Sequence, residues 1–212
     1  MICLIQARMS SKRFKGKIIS KINNYELFFI LYKRLLKSEL ISKIVFVTSN
    51  HRSDDIFCNI LKKKKINYFR GDLNNVAKRF LKCAERYKKK NFIRICCDSP
   101  LINWKSVDKL IILSKKKKFD LLTNSLDSNY AKGTGIEIVK SNLLKKNILF
   151  FSKNDKEHVT KYFYKNKSSF NIVKYNKSKK TKFLNYCVDY PSDIKKLNKI
   201  IGDKNPIDFL EI

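Results

Sequence analysis

The sequence has no apolar run long enough to span a membrane. Its opening residues, MICLIQARM, lack the basic lead-in, the long apolar core and the small-residue cleavage site of a secretion signal. The six cysteines form no C-x-x-C pair, and most lie in apolar strand or helix patterns, which is typical of buried, reduced thiols. We therefore expect a cytoplasmic protein without a membrane segment. Neither a repeat nor a linker divides the 212 residues, so we predict a single domain.

Acidic residues are scarce, because the sequence has 18 Asp and Glu against 48 Lys and Arg, which gives a formal net charge of +30. Only eight of the cations are arginines. Such a charge suggests a basic module that binds nucleic acid or another polyanion. The lysine runs 62–65, 88–90 and 115–118, however, fall where helices should end, and cations there complement the helix dipole. We keep polyanion binding as the alternative function.

Apolar strands alternate with amphipathic helices through the first half of the chain. Strands are predicted at 2–6, 43–48, 66–69, 92–96 and 119–123, with helices between them. Short links between such elements predict a largely parallel sheet that helices cover on both faces. Ligands then bind at the carboxyl ends of the strands.

The pattern becomes less regular after residue 124. We predict a strand at 135–139, one continuous helix at 155–164 capped by Asn154, two antiparallel strands at 170–175 and 183–188, and a closing helix at 191–201. We accordingly divide the domain into a nucleotide-binding half, 1–124, and an acceptor-binding half, 125–212.

The loop after the first strand is rich in cations and hydroxyl groups. The apolar run Ile2–Ile5 gives way to QARMSSKRFKGK, and a helical pattern follows. A strand, a cationic loop and a helix form the usual layout of a phosphate site in α/β proteins. Arginine offers forked donors and lysine a mobile point charge to phosphate oxygens. The alternative is an ordinary surface loop of a basic chain.

Two aspartates occupy similar positions far apart in the sequence. Asp98 follows the strand 92–96, Asp189 follows the strand 183–188, and each stands shortly before a proline. Their carboxylates should emerge at the same edge of the sheet as the cationic loop. Mg²⁺ favours one or two carboxylates plus phosphate oxygens and water, so both are candidate ligands. An aspartate that opens a turn before proline is the alternative explanation.

The spacing Ala7-Arg8-x-x-Ser11-x-Arg13-x-x-Gly16-Lys17 resembles the opening motif of the cytidylyltransferases that make CMP-activated sugar acids. The start Gln-Ala-Arg-Met is most similar to the spore-coat polysaccharide branch. Asp98-Ser-Pro-Leu and Val188-Asp189-Tyr-Pro-Ser-Asp resemble two further motifs of that family. The resemblance implies a three-layer α/β/α, Rossmann-like nucleotide-diphospho-sugar transferase (GT-A type) fold with a mostly parallel mixed central sheet. It also implies transfer of CMP from CTP to a sugar acid, release of pyrophosphate, dependence on Mg²⁺, and a homodimer.

The resemblance also assigns roles to individual residues. It implies Lys17, Arg13 and Asp98 as catalytic residues, Asp98 and Asp189 as metal ligands, and Glu137, His158 and Tyr162 as contacts of the sugar acid. The nucleotide-binding residues would be Ala7, Arg8, Ser11, Arg13, Lys17, Gly71, Arg79 and Asp98. From the residues alone, a half-buried side chain of an amphipathic helix is the favoured interpretation of His158, and Arg79 is equally a surface residue of a helix.

The chain departs from the family pattern at Cys97, where glycine is usual. We hypothesise that a side chain there crowds the nucleotide and reduces activity. A related transferase with another base or acceptor is a third interpretation.

Overall fold

The computed structural model of the chain describes residues 1–126, 130–175 and 185–209. Nine strands are described: β1 (Ile2–Gln6), β2 (Lys21–Ile22), β3 (Tyr25–Glu26), β4 (Lys43–Ser49), β5 (Tyr68–Gly71), β6 (Asn91–Cys96), β7 (Leu121–Thr123), β8 (Glu137–Lys140) and β9 (Ile172–Lys174). The described helices are α1 (Leu27–Leu35), α2 (Asp55–Lys63), α3 (Val76–Arg86), α4 (Trp104–Lys116), α5 (Ser141–Asn147), α6 (Lys153–His158), α7 (Lys161–Lys165) and α8 (Pro191–Ile201). Short 3-10 turns cover Lys17–Ile19, Arg52–Asp54, Ile148–Phe150 and Lys167–Ser169.

Seven strands form the central sheet in the order β5-β4-β1-β6-β8-β7-β9. Only β8 runs antiparallel to its neighbours, and the other pairings in this sheet are parallel. The chain moves outward from β1 to β4 and β5, then returns to place β6 on the other side of β1. That reversal opens a crevice beyond the carboxyl ends of β1 and β6, where open α/β sheets bind ligands.

Helices cover both faces of the sheet, and each face has its own apolar core. One core contains residues of α1, α2, α4 and α8, and includes Phe28 packed edge-on against Phe46 and Phe57 at centroid distances of 5.8 and 5.2 Å. The other contains residues of α3, α5 and α7. β1 faces both cores, with Cys3 and Ile5 in the first and Ile2 and Leu4 in the second. This arrangement confirms the predicted three-layer α/β/α fold with a mostly parallel mixed sheet.

The alternation predicted for the first half of the chain is confirmed, with boundaries that differ by a few residues. The lysine runs also lie at helix ends, as predicted. Lys62 and Lys63 form the last turn of α2, and Lys115 and Lys116 that of α4. Among the described residues, no helix combines the length and the apolar character that crossing a membrane requires. The division of the chain at residue 124 stays a prediction.

Two predictions for the second half are wrong. The helix predicted at 155–164 is two short helices, because α6 ends at His158 and Val159 adopts a φ of 47° before α7 begins. Its cap is Ser152 rather than Asn154. The strand predicted at 170–175 corresponds to β9, which pairs in parallel with β7 and has no antiparallel neighbour within the described part of the chain. Residues 176–184, which include the start of the predicted partner strand, lie outside the described residues.

A buried arginine holds the chain that follows β6. Arg34 of α1 is only 1% exposed and donates hydrogen bonds to the carbonyl oxygens of Leu101 and Ile102, each at 3.1 Å. It also donates to the carbonyl oxygens of Pro206 and Phe209 at 3.0 and 2.6 Å. A buried guanidinium with several carbonyl acceptors is costly to remove, since it satisfies groups that water cannot reach. It fixes the loop that carries Asp98.

The carboxylate of Asp193 caps the first turn of α8. Pro191 opens the helix, and Asp193 accepts hydrogen bonds from the backbone N–H groups of Asp189 and Tyr190 at 2.9 and 2.8 Å. Burial opposes the charged form of Asp193, but these N–H donors outweigh it and keep the pKa of Asp193 below its ordinary value. Asp193 therefore stabilises the turn that presents Asp189.

We predict that Asp193→Ala lowers the free energy of unfolding by about 1 kcal/mol at neutral pH, because the cap is lost. Since the pKa is lowered in the folded state, this contribution is complete above the usual aspartate pKa of about 3.9 and disappears as pH falls through the lowered value. Urea unfolding of both proteins over a pH series measures the difference. Asp203→Ala, at an exposed position just past the same helix, is the control. An equal loss in the control, or a difference that persists in acid, would contradict the prediction.

Candidate functional site

The loop after β1 is tied to the end of the neighbouring strand β4. The carboxylate of Asp54, which is fully buried, accepts a hydrogen bond from the backbone N–H of Met9 at 2.7 Å. It also accepts from the Thr48 hydroxyl and the Ser49 N–H, both at 2.9 Å. The N–H groups of Ser11 and Gly16 both donate to the carbonyl oxygen of Met9, so the loop curls back on itself. Its cations are therefore held above the sheet edge.

Asp98 and Asp189 meet at this edge although they are far apart in the sequence. The N–H of Cys97 continues the β6 ladder by donating to the carbonyl oxygen of Gln6 at 2.9 Å, and Asp98 follows it. The N–H of Val188 donates to the carbonyl oxygen of Asp98 at 2.8 Å. The predicted convergence of the two aspartates on the cationic loop is thus present in the structure.

The ammonium group of Lys17 lies between the two aspartates. Its Nζ donates to Asp98 Oδ2 at 2.9 Å, to the Val188 carbonyl oxygen at 2.8 Å and to Asp189 Oδ1 at 3.5 Å. The residue is only 9% exposed. Burial alone would lower its pKa, but Asp98 and Asp189 outweigh that effect and raise the pKa of Lys17. Lys17 is therefore a fixed positive charge.

Two more cations reach Asp189. Arg13 Nη2 donates to Asp189 Oδ1 at 2.6 Å while its guanidinium lies 5.5 Å from the centroid of the Tyr190 ring. Lys132 Nζ approaches Asp189 Oδ2 at 3.5 Å. The carboxylate of Asp189 raises the pKa of Arg13. Asp189 is thus the most densely paired acid of the cluster.

Cys187 is a site residue that our sequence analysis missed. Ligand atoms of Asp98, Cys187 and Asp189 all lie within 4.8 Å of one another. Burial, followed by the two carboxylates, raises the pKa of the Cys187 thiol. Because successive side chains of an extended chain alternate in direction, Cys187 faces the same side as Asp189, and this signal could have identified it.

Arg8, the first cation of the loop, binds another element. Its Nη2 donates to Glu157 Oε1 of α6 at 2.6 Å, and the hydrogen bond from Arg8 lowers the pKa of Glu157. His158, the next residue, is exposed overall, although partial burial of its imidazole lowers its pKa. Because α6 ends there, His158 and Tyr162 do not share one helical face. Tyr162 instead stacks on Phe151 at a centroid distance of 5.0 Å.

Glu137 is buried behind the cleft rather than open to it. The residue is 4% exposed, and its carboxylate accepts hydrogen bonds from Arg94 at 2.5 Å, from Thr160 at 2.8 Å and from the Tyr164 hydroxyl. Arg94 also donates to the side-chain oxygen of Gln6 at 2.8 Å. Glu137 thus joins β8 to the end of β1 and to α7.

Gly71 and Arg79 line a separate cleft at the end of β5. A side chain at Gly71 would meet Arg79 Cγ at 2.9 Å, so only glycine admits the arginine at this distance. Arg79 is 1% exposed, and burial lowers its pKa to about 10. Its Nη1 donates to the Asp72 carbonyl oxygen at 2.6 Å, whereas Nε and Nη2 find no partner among the described residues. A buried donor without a partner calls for an explanation, and a bound ligand is one.

Cys97 does not project into the cleft. It is 1% exposed and belongs to the apolar core on the α1 face of the sheet. The expectation that its side chain crowds a nucleotide is therefore not supported.

The aspartate pair suits a divalent cation. A positive group, the Lys17 ammonium, already lies between the two carboxylates, and oxygen donors of this kind are those that Mg²⁺ uses together with phosphate and water. Of the predicted residues, the structure brings Arg13, Lys17, Asp98 and Asp189 into one cluster. Arg8 and Ser11 belong to the same loop as Arg13, whereas Gly71 and Arg79 line the neighbouring cleft, Glu137 is buried, and Tyr162 packs in an aromatic cluster.

Two known proteins are similar to this chain in sequence. An uncharacterized protein of Methanocaldococcus jannaschii is 30% identical over 173 residues, which cover 81% of this chain and 70% of that protein. The spore coat polysaccharide biosynthesis protein SpsF of Bacillus subtilis is 32% identical over 115 residues, which cover 52% of this chain and 48% of SpsF. The match to SpsF thus spans about half of that relative.

Solved structures give the same picture. A cytidylyltransferase from Leptospira borgpetersenii superposes with a TM-score of 0.92 at 28% identity, covering 98% of this chain and 89% of that one. A CMP:2-keto-3-deoxy-manno-octonic acid synthetase, solved with CTP, superposes with a TM-score of 0.71 at 13% identity, covering 94% and 97%. The second likeness supports the fold alone. The profile of the family described as cytidylyltransferase matches residues 2–211. Since that match covers nearly the whole sequence, the chain belongs to the cytidylyltransferase family.

Proposed function

We propose that the protein transfers CMP from CTP to a hydroxyl group of a sugar acid, an ulosonic or nonulosonic acid, with release of pyrophosphate, in the synthesis of a surface polysaccharide or glycan. The observation that carries the proposal is the cluster of Asp98, Asp189, Lys17 and Arg13 at the carboxyl edge of the sheet. Membership of the cytidylyltransferase family supports nucleotide transfer. The similarity to SpsF supports a role in polysaccharide synthesis.

The cations of the first loop would bind the triphosphate. Arg13 has a side chain that is 55% exposed, so phosphate oxygens can replace Asp189 as its acceptor. Lys17 is held by three oxygen atoms and would remain beside the phosphates as a fixed charge. The curled backbone of Ala7 to Ser11 would follow the phosphate chain. Such catalysis depends mainly on positioning and on neutralising charge.

Asp98 and Asp189 would hold Mg²⁺, which when bound supplies neutralisation of phosphate charge and stabilisation of the leaving group. The sugar hydroxyl would attack the α-phosphorus in line with the bond to the β-phosphate. The residues of the chain orient that attack and pair with the pyrophosphate as it leaves. For the acceptor, exposed His158 remains a candidate beside the Arg8–Glu157 pair. Acceptor roles for Glu137 and Tyr162 stay predictions without a supporting contact, as does the homodimer.

Incubation with CTP, Mg²⁺ and a panel of eight- and nine-carbon ulosonic acids tests the proposal. We expect pyrophosphate release with at least one acid, and none when Mg²⁺ is chelated. Absence of release with every acid, together with absence of CTP binding by calorimetry, would remove the proposed function.

Replacement of Asp98 or Asp189 should lower the transfer rate far more than replacement of an acidic residue outside the cluster. We predict that Asp98→Asn and Asp189→Asn each lower kcat by roughly a hundredfold or more, because each removes a charge that acts on the transition state. Asp203→Ala, at an exposed position outside the cluster, is the matched control and should change kcat little. Comparable rates in all three variants would contradict the assignment of the metal site.

Arg79 should determine the preference for cytosine. Once its side chain turns toward the cleft, its two unpartnered donors would match the O2 and N3 acceptors of cytosine, whereas N3 of uracil carries a hydrogen. We predict that Arg79→Met weakens CTP binding by about 10- to 100-fold, as expected for hydrogen bonds from a charged group, and changes UTP binding much less. Lys82→Met, in the same cleft, is the control. A proportional loss for CTP and UTP would contradict this role.

A second candidate function rests on the opposite edge of the sheet. Lys88, Lys89, Lys90, Lys140 and Lys145 line one cleft there, which supports binding of a polyanion at a place remote from Asp98. Polyanion binding should weaken steeply as salt rises, whereas nucleotide binding at the metal cluster should depend on Mg²⁺ and on Asp98. Titration with an RNA oligonucleotide at two salt concentrations, with and without Mg²⁺, distinguishes them. Tight RNA binding unaffected by Asp98→Asn would favour this alternative.

A further inference from the structure

A thiol lies in the carboxylate cluster, and the proposed transfer gives it no task. The sulfur atom of Cys187 and carboxylate oxygens of Asp98 and Asp189 fall within 4.8 Å of one another. Of the described cysteines, Cys3, Cys58, Cys83 and Cys97 are buried, whereas Cys187 is half-buried. Its location thus differs from that of the core thiols.

The backbone holds Cys187 in this position from both sides. Gly133, with a φ of +87°, packs so closely that a Cβ atom there would lie 2.5 Å from the Cys187 nitrogen. The side-chain oxygen of Asn185 accepts a hydrogen bond from the Cys187 N–H at 2.9 Å, and the Tyr186 N–H donates to the Lys132 carbonyl oxygen at 2.8 Å. Any larger residue at position 133 would displace the segment. The thiol is therefore fixed relative to the two carboxylates.

The cluster already accommodates a cation. The Lys17 ammonium contacts Asp98, Asp189 and the Val188 carbonyl oxygen, which lies between Cys187 and Asp189 in the chain. Oxygen atoms from two separate chain segments thus converge on one positive charge. A metal ion with a higher charge would compete with this ammonium for the same carboxylates.

The donor distances are close to those of one metal ion bound by oxygen and sulfur. In a tetrahedral site with a zinc–sulfur bond of about 2.3 Å and a zinc–carboxylate bond of about 2.1 Å, the two donor atoms lie roughly 3.6 Å apart, so donors that lie within 4.8 Å of one another need shifts of only about 1 Å to bind one ion. Mg²⁺ prefers oxygen and gains little from a thiol, whereas thiolate favours softer ions. We propose that Cys187 is a third protein ligand at this site, which therefore binds Zn²⁺, Co²⁺ and Cd²⁺ through sulfur as well as through Asp98 and Asp189.

Binding of such an ion forms one metal–sulfur bond and releases the thiol proton to solvent, without any oxidant. This inference rests on the proposed function only because both use the carboxylates of Asp98 and Asp189. Softer ions should therefore displace Mg²⁺ from this site, and unlike Mg²⁺ they should bind the sulfur atom directly.

Titration of the purified full-length protein with Co²⁺, without nucleotide, tests the proposal. We expect a sulfur-to-cobalt charge-transfer band in the near ultraviolet that saturates at one equivalent. The band should disappear in Cys187→Ser. In Asp98→Asn, the apparent affinity for Co²⁺ should fall at least about tenfold. Cys96→Ser is the matched control, since Cys96 is the other half-buried thiol and lies outside the group of three donors. A band that persists in Cys187→Ser, or its absence from the unmodified protein, would overturn the proposal.

A second measurement needs no variant. Alkylation of the unmodified protein, followed by peptide mass spectrometry, should show Cys187 protected by Cd²⁺ but not by Mg²⁺. Equal labelling in both ions would overturn the proposal even if Cys187→Ser failed to fold. CTP binding with Mg²⁺ is measured in parallel. If the protein binds CTP but shows no cobalt–sulfur band, the sulfur ligand alone is refuted. If it shows the band but does not bind CTP, the proposed function alone is refuted.

Discussion

The buried ammonium of Lys17 is the interaction on which the arrangement of this protein depends. Asp98 and Asp189 are brought side by side by the hydrogen bond between Val188 and Asp98, and two carboxylates so close repel each other unless cations lie between them. Lys17 supplies the central charge, with Arg13 and Lys132 at the rim. The three segments that meet here, the first loop, the end of β6 and the entrance to α8, come from the beginning, the middle and the last quarter of the chain. Their electrostatic balance holds the functional edge together.

Substrate binding at such a cluster is an exchange of partners rather than the creation of new charges. Each carboxylate has a cation and each cation has a carboxylate before any ligand arrives. In the proposed function, a triphosphate would offer oxygen atoms to Arg13 and Arg8, and a divalent ion would offer positive charge to Asp98 and Asp189. Because every group keeps an opposite charge throughout, none is left buried and unpaired, which would be the costly alternative. The Arg8–Glu157 pair extends this exchange to α6 and so connects the loop with the second half of the chain.

Sequence patterns predicted the first half of the fold and the four charged residues of the cluster because both follow from local rules. Buried strands such as Ile2–Gln6 show as apolar runs, and the edge of a parallel sheet gathers whatever follows its strands. The second half depends on tertiary contacts. A helical pattern covers 155–164, yet Val159 turns to positive φ and is fully buried, so packing overrides propensity. Likewise, β9 joins the edge of the sheet beside β7, which no local pattern specifies.

The same reasoning explains why Glu137 was assigned to the cleft and found beneath it. The family resemblance implied a ligand contact for Glu137, but the partner that decides its place, Arg94, lies on the separate strand β6. Arg94 binds Glu137 at 2.5 Å and Gln6 at 2.8 Å, and Gln6 is the last residue before the cationic loop. Loss of either charged partner would leave the other buried and unpaired. The Arg94–Glu137 pair therefore stabilises the residue at the end of β1, Gln6, and the ion pairs of Lys17 stabilise the loop that follows it.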